Sequence, residues 1–91
     1  LEENYKNYLY VSDFSPQKNH VRLLKAWENF SLLNSNKKVT LHLTLPDTSP
    51  KHILKMIANL QNLGHNIINH KRCSIDEIRN LYKTCNYLIF P

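Results

Sequence analysis

The sequence predicts an α/β fold in which helices cover a parallel β-sheet. Short apolar segments rich in β-branched and aromatic residues alternate with longer segments whose apolar residues recur at helical spacing. The resulting order is β-α-β-α-β-α-β, and strand–helix–strand units of this length form parallel sheets with right-handed crossovers. At 91 residues and 42% hydrophobic content, the chain is expected to form a single domain over residues 1–91.

Four segments carry the strand pattern, at 8–11, 39–45, 66–69 and 87–90. The second is the clearest, because apolar residues at alternate positions predict a strand with one buried face; these are Val39, Leu41, Leu43 and Leu45. His42 falls on the opposite face of this strand, where we expect it to meet either a helix or solvent.

The first two helices are predicted by apolar spacing and by end signals. In the first, apolar residues recur at i, i+4 and i+7 in the sets Leu23, Trp27, Phe30 and Ala26, Phe30, Leu33. The second is predicted to have Ser49 as its cap and Pro50 at its first position. Gly64, the only glycine in the chain, is placed to end it in a left-handed turn.

The third helix is predicted by a capping box. Ser74 and Glu77 have the spacing at which each side chain bonds the backbone amide of the other residue. The apolar face predicted to follow consists of Ile75, Ile78, Tyr82 and Cys85.

A doubly wound arrangement of these elements has the strand order 3-2-1-4 and is a Rossmann-like three-layer sandwich. Strands 1 and 4 are then neighbours, and ligands of such folds bind beyond the carboxyl ends of strands whose connections diverge. The crevice is flanked by Ser12 and Asp13 on one side and by Phe90 and Pro91 on the other. Because the sequence stops at this crevice, we expect only part of the site, and of its domain, to lie within these residues.

Composition and charge indicate which partners and which cellular compartment suit the chain. The formal net charge of +5 suits an anionic partner, although the basic residues are scattered and also fit an ordinary solvated surface. Cys73 and Cys85 are too few for a disulfide framework and predict free thiols in a cytoplasmic setting. No segment approaches the roughly 20 apolar residues that a membrane helix needs.

The loop before the first helix is the strongest candidate for chemistry. Lys18 lies just before the predicted helix start, where backbone N–H groups and the positive end of the helix dipole attract anions. The alternative is an exposed lysine in a turn. A glycine-rich phosphate loop is absent, so neither the dinucleotide fingerprint nor the nucleoside-triphosphatase loop applies.

Two parts of the chain resemble a known family. Residues 11–19, Val-Ser-Asp-Phe-Ser-Pro-Gln-Lys-Asn, precede the sequence Leu-Leu-Lys-Ala at 23–26. Residues 74–82, Ser-Ile-Asp-Glu-Ile-Arg-Asn-Leu-Tyr, precede Cys-Asn-Tyr-Leu-Ile-Phe-Pro at 85–91. In this order, and over nearly the whole chain, they resemble the first part of the C-terminal domain of retaining glycosyltransferases of family four, which have the GT-B fold.

The resemblance implies that the chain binds the nucleotide diphosphate part of a nucleotide-sugar donor. The implied contacts are Lys18 with the pyrophosphate, helped by the amides at Asn19 and His20, and the loop His70, Lys71 and Arg72 near the nucleobase. Phe90 and Pro91 would border the ribose and pyrophosphate. The transfer would move a hexose to a glycan or lipid acceptor held by an N-terminal domain, as in polysaccharide biosynthesis. No metal or other cofactor is expected, and peripheral association with the inner face of the membrane is compatible with this role.

The chain departs from the family pattern in two places. Asp13 stands where the family usually has arginine; it either weakens the phosphate site or is a turn residue that bonds its own backbone. The paired glutamates that hold the donor in this family would follow Pro91, so these residues alone are expected to be inactive. The open edge of strand 4 is expected to favour self-association.

Other functions are less well supported by the residues. A zinc site from His65, His70 and Cys73 fits no standard spacing. A receiver-type signalling domain would need an aspartate after strand 3, where the chain has Asn69. Nucleic-acid binding lacks aromatic residues interleaved with basic ones. The main alternative is a non-catalytic α/β nucleotide-binding or interaction module on a decayed transferase fold.

Overall fold

The computed structural model describes residues 5–11, 19–34 and 38–89. These residues form seven elements in the predicted order: β1 (Tyr5–Tyr10), α1 (His20–Leu33), β2 (Lys38–Leu43), α2 (Lys51–Asn62), β3 (Ile67–Asn69), α3 (Ile75–Thr84) and β4 (Tyr87–Leu88). No helix within these ranges is long and apolar enough to span a membrane.

The strands form one parallel sheet in the order β3-β2-β1-β4. Tyr8 of β1 pairs with Leu41 of β2 on one side and with Tyr87 of β4 on the other, and Leu41 pairs with Ile67 of β3. The predicted fold class and strand order are therefore confirmed. β1 and β4 are neighbours, as the predicted crevice between their carboxyl ends requires.

Helices α1 and α2 pack on the face of the sheet that carries Tyr8 and Leu41. Tyr8 contacts Trp27 of α1 edge to face, with ring centroids 5.5 Å apart. The core on this side consists of Tyr10, Leu24, Trp27, Val39, Leu41, Leu43, Leu45, Ile53, Ile57, Leu60 and Ile67. Leu41 is fully buried because parallel strands flank it on both sides and helices cover it.

The opposite face of the sheet is covered by α3 alone among the described helices. Leu9 of β1 and Leu81 of α3 are buried but lie outside the first core. Ile68 and Leu88, which point to the same face as Leu9, remain 47% and 43% exposed. The two faces therefore differ: one is a closed apolar core, and the other has room for polar side chains.

The helix ends follow the sequence signals with one shift. Ser74 and Glu77 form the predicted capping box, with Ser74 N–H donating to Glu77 Oε1 at 2.8 Å and Glu77 N–H donating to Ser74 Oγ at 3.2 Å. Gly64 has φ of +96° and ends α2, while the His65 amide reaches back to the Leu60 carbonyl. The cap of α2 is Pro50 and not Ser49, so the predicted start was wrong by one residue.

One predicted apolar face was right in part and another was wrong. In α1, Trp27 is buried and Leu23 and Phe30 pack against the core as predicted. Ala26 and Leu33 are exposed instead, and His20 and Leu24 complete the buried stripe. In α3 the buried residue is Leu81, and Ile75 and Tyr82 are 72% and 49% exposed. The cause in α3 is the narrow contact with the sheet, which buries one side chain instead of a full stripe. Cys85 caps the helix end and is half-buried instead of lying in the core.

Candidate functional site

The start of α1 is fixed against the carboxyl end of β1. The rings of Tyr10 and His20 meet edge to face with centroids 5.4 Å apart, and each residue is 2% exposed. Tyr10 is the last residue of β1 and His20 the first of α1, so this contact holds the helix N-terminus beside the strand end. The amides of the first helical turn consequently lie near the carboxyl end of β1, beside its neighbouring strand β4.

Asn19 is the cap of α1 and adopts the left-handed conformation, with φ of 48°, which asparagine tolerates better than most residues. Its side-chain Oδ1 accepts a hydrogen bond from the Arg22 amide at 3.2 Å, and its carbonyl accepts one from the Leu23 amide. The side chain is therefore used by the helix. A ligand here would meet the backbone amides of the first turn, which is the role that the family resemblance implies for Asn19 and His20.

Five predicted site residues lie outside the described residues. They are Ser12, Asp13, Lys18, Phe90 and Pro91. Their predicted contacts with pyrophosphate and ribose stay predictions. The described flanks, Val11 and Ile89, directly follow the neighbouring strands β1 and β4. The Ile89 amide donates to the Leu9 carbonyl at 2.8 Å and so continues the contact between the two strand ends.

The other three predicted residues, His70, Lys71 and Arg72, lie together in the loop after β3. The His70 amide donates to the Leu43 carbonyl at 2.8 Å and extends the β2–β3 ladder by one bond. Lys71 has φ of 64°, a left-handed conformation that costs a residue with a Cβ about 1–2 kcal/mol. Arg72 is exposed. β2 separates this loop from β1, so two strand spacings, about 10 Å, lie between them.

Asn69 holds the carboxyl ends of β2 and β3 together. Its side-chain Oδ1 accepts from the Leu45 amide at 2.9 Å, and its Nδ2 donates to the Leu45 carbonyl at 3.0 Å. The same Oδ1 accepts from the Lys71 amide at 3.1 Å, which supports the left-handed turn. An exposed ion pair of 3.4 Å joins Lys71 to Asp47 across the same edge. The loop is therefore built from local contacts of modest strength.

The His70 ring takes part in a series of hydrogen-bonded polar side chains on the α3 face, which we call the polar chain. Its Nε2 lies 2.8 Å from Nδ1 of His42, and Nε2 of His42 lies 2.9 Å from Oδ1 of Asn7. Asn7 in turn exchanges two hydrogen bonds with Asn86, each of 2.8 Å: the Asn7 amide donates to Asn86 Oδ1, and the Asn86 amide donates to the Asn7 carbonyl. This polar chain, Asn86–Asn7–His42–His70, runs from the residue before β4, across β1 and β2, to the residue after β3.

Burial and charge both act on the imidazole of His42. Partial burial on the sheet face lowers the pKa of His42, and the neighbouring His70 lowers it further. Hydrogen bonds from Ser74 lower the pKa of the Glu77 carboxyl, with a smaller effect of His70 in the same direction. Burial raises the pKa of the Cys73 thiol, and Glu77 adds to that effect. At neutral pH this region therefore holds a neutral His42 and an ionised Glu77.

An open cleft of about 230 Å³ lies between the loop that contains His70 and Cys73 and one side of α3. Its lining residues are His70, Cys73, Glu77, Asn80, Leu81 and Thr84. The α3 residues recur at i, i+3, i+4 and i+7, so one side of that helix forms the wall. Within residues 5–11, 19–34 and 38–89, no group of three or more His, Cys, Asp or Glu side chains is arranged to hold a metal ion.

Comparisons with known proteins give no match. No protein-family model, no curated protein and no solved structure is similar to this chain at a significant level. A proposal about function therefore rests on the sheet topology, the position of α1 and the residues at the carboxyl edge of the sheet.

The pairing of His42 with His70 was missed by sequence reasoning, which placed His42 against a helix or solvent. A usable signal was present, because successive side chains of a strand point to opposite faces of the sheet. Leu41 and Asn69 lie on one face, so His42 and His70, each one residue later, fall together on the other face. What the sequence lacked was the register that pairs His42 with Ile68 and sets the two rings side by side.

Proposed function

We propose that this chain binds the diphosphate group of a nucleotide-sugar, as the donor-binding part of a glycosyltransferase with the GT-B fold. The observation that supports this most is the start of α1 at the carboxyl end of β1, directly beside β4 in a 3-2-1-4 parallel sheet. Open α/β sheets bind their ligands at such a divergence point. Helix N-termini bind phosphate there through backbone amides and the helix dipole.

The sequence adds a full positive charge next to that helix end. Lys18 directly precedes the cap Asn19, and the chain as a whole carries a net charge of +5. A nucleoside diphosphate carries about two negative charges or more, so a lysine beside the helix N-terminus would make charge-assisted hydrogen bonds to it. In a transfer reaction the bond between the anomeric carbon and the diphosphate breaks. Stabilising that leaving group would be the main contribution of this domain.

The loop after β3 would contact the base end of the donor. His70, Lys71 and Arg72 lie on the same edge of the sheet, about 10 Å from β1, which is a reasonable separation between the diphosphate and the nucleobase. Lys71 is already paired with Asp47, and the His70 ring with His42. Backbone groups of this loop and the exposed Arg72 are therefore better placed to serve a ligand than the other two side chains.

A non-catalytic α/β module is the second candidate, and one residue favours it. Asp13 brings a negative charge to the loop in which the resembling family carries arginine. A carboxylate directed at a diphosphate would oppose its binding. In that case the fold would be retained while the affinity for diphosphates would be lost.

The test is the affinity of the chain for UDP, GDP and ADP before and after Lys18→Ala. If Lys18 contacts the diphosphate, the substitution should weaken binding of the preferred nucleotide by roughly 1.5–3 kcal/mol, the worth of a hydrogen bond to a charged group. Lys25→Ala, on an exposed part of α1, is the matched control with the same charge change. Equal affinities for the two variants would remove Lys18 from the site. No binding of any of the three diphosphates at millimolar concentration would favour the non-catalytic module.

A further inference from the structure

The polar chain on the α3 face has a defined direction. Oδ1 of Asn7 can only accept, so the hydrogen bond of 2.9 Å requires a proton on Nε2 of His42. A neutral His42 then has a bare Nδ1, which accepts from Nε2–H of His70 at 2.8 Å. Nδ1 of His70 is the remaining ring atom at which the neutral pair can accept a proton without losing a bond.

The two rings respond differently to the first and the second proton. The first proton leaves one imidazolium and one imidazole, which still share an N–H···N bond, now strengthened by charge. The second proton puts an N–H group on both facing nitrogens, 2.8 Å apart, together with two positive charges. No acceptor then remains between the rings, and like charges repel at this distance.

We propose that His42 and His70 form a proton-operated latch on the loop at residues 70–73. The latch stays closed through uptake of the first proton and opens at the second. It joins the β2 strand to the loop that lines the cleft against α3. This inference does not depend on nucleotide binding.

The loop contains one residue in an unfavourable backbone conformation, so it depends on its contacts to stay ordered. Lys71 has φ of 64°, which is unfavourable for a lysine. Its other supports are the hydrogen bond from its amide to Asn69 Oδ1, a weak hydrogen bond from the Cys73 thiol to its carbonyl within the same loop, and an ion pair with Asp47 that is exposed to solvent. When the His70 ring leaves His42, residues 71–73 lose their attachment to the α3 face of the sheet and should become mobile.

The groups around the pair favour one proton and oppose two. From α3, the ionised Glu77 faces His70; its pKa is lowered in part by that histidine. From the loop, Cys73 carries a thiol whose pKa is raised, so it is neutral at neutral pH and below. From β1, Asn7 presents a neutral carboxamide. Glu77 can balance a single charge on His70, and its own protonation at low pH would remove that balance.

The test is an NMR titration of the chain between pH 8 and pH 4 that follows the histidine ring resonances and the ¹⁵N relaxation of residues 70–73. The pair should titrate in two steps separated by more than about one pH unit, because strongly coupled sites have macroscopic pKa values that belong to the pair. Loop mobility should rise at the lower step and stay unchanged at the upper one. Two independent one-site curves, or a loop whose relaxation is constant through the lower step, would overturn the proposal.

His70→Gln is the variant that tests the coupling, because His70 is exposed and its loss should be tolerated by the fold. In this variant His42 should titrate in a single step, above the lower step of the pair. His52→Gln removes an exposed histidine of α2 and should leave both steps in place. If the His70→Gln variant leaves the titration curve of His42 unchanged, the two rings are not coupled and the latch does not exist. Asn7→Leu, which removes the acceptor of His42 Nε2, provides a second variant and should widen the pH separation of the two steps, because the charged His42 then loses a charge-assisted hydrogen bond.

Discussion

Nδ1 of His42 lies 2.8 Å from Nε2 of His70, so a strand in the middle of the sheet is bonded to the loop at its carboxyl edge. The pairing of His42 with Ile68 in the parallel ladder brings the rings together, and their planes differ by only 10°. The contact connects the part of the fold that the sequence predicts best, the β2 strand, with the loop that would face the base of a nucleotide.

In the His70→Gln variant, where His42 has no second imidazole with which to share a proton, stability should fall as the pH is lowered from about 7.5 to about 5.5. The pKa of His42 is lower in the folded chain than in the unfolded one, so the unfolded state binds more protons in this range. The free energy of unfolding then increases with pH until both states are deprotonated, above about pH 7.5. Urea denaturation at half-unit intervals of pH measures this slope. A stability that is flat, or that rises as the pH falls from 7.5 to 5.5, would contradict the neutral His42 of the structure.

Leu41→Ala should cost about 2–5 kcal/mol of stability, since it removes a fully buried side chain at the centre of the sheet and leaves a cavity. Leu63→Ala makes the same chemical change at a residue that is 71% exposed and should stay within about 0.5 kcal/mol of the parent chain. Urea denaturation of both variants measures the difference. Similar losses for the two would mean that the core lies elsewhere.

Ser74→Ala should destabilise the chain by about 1 kcal/mol, because the Glu77 amide loses its acceptor at the start of α3. Ser31→Ala, in the last part of α1, is the control, and it should have little effect because alanine is favourable inside a helix. Thermal denaturation followed by circular dichroism compares them. An unchanged midpoint for the Ser74 variant would show that α3 does not need its capping box.

Gly64→Ala should cost about 1 kcal/mol through backbone conformation alone. The φ of +96° is unfavourable for alanine, whereas an added Cβ would meet no atom within 4 Å. Gly64→Asn should cost less, because asparagine adopts left-handed conformations more readily. Urea midpoints of the two variants separate conformational strain from steric overlap, and a larger loss for asparagine would point to overlap.

Much of the fold follows from local patterns that the sequence displays directly. Alternation of Val39, Leu41 and Leu43 fixes the buried face of β2, and that face carries the core. Gly64 and the Ser74–Glu77 pair end and begin helices through backbone chemistry that is independent of tertiary structure. The strand order 3-2-1-4 follows from these elements when a doubly wound arrangement is assumed, and crossover handedness then fixes the face that each helix covers.

The parts that could not be predicted depend on tertiary contacts. The apolar spacing in α3 does not tell how much of the helix meets the sheet, and the narrow contact leaves Ile75 exposed while it buries Leu81. The network at the site depends on register, since His42 reaches His70 and Asn7 only through the pairing of three strands. Asn69 likewise bonds Leu45 across two strand ends, a contact that a strand pattern does not carry.

The most direct test of the central claim is a ¹⁵N-resolved NMR titration of the chain with UDP, GDP and ADP, each compared with its monophosphate. If the diphosphate binds at the start of α1, at least one diphosphate should shift the amides of Asn19, His20 and Val21 in a saturable manner. The matching monophosphate should bind at least about tenfold more weakly, because the missing phosphate removes a charge-assisted contact. Equal shifts for both nucleotides, or shifts confined to residues away from this helix end, would contradict the proposed donor-binding function.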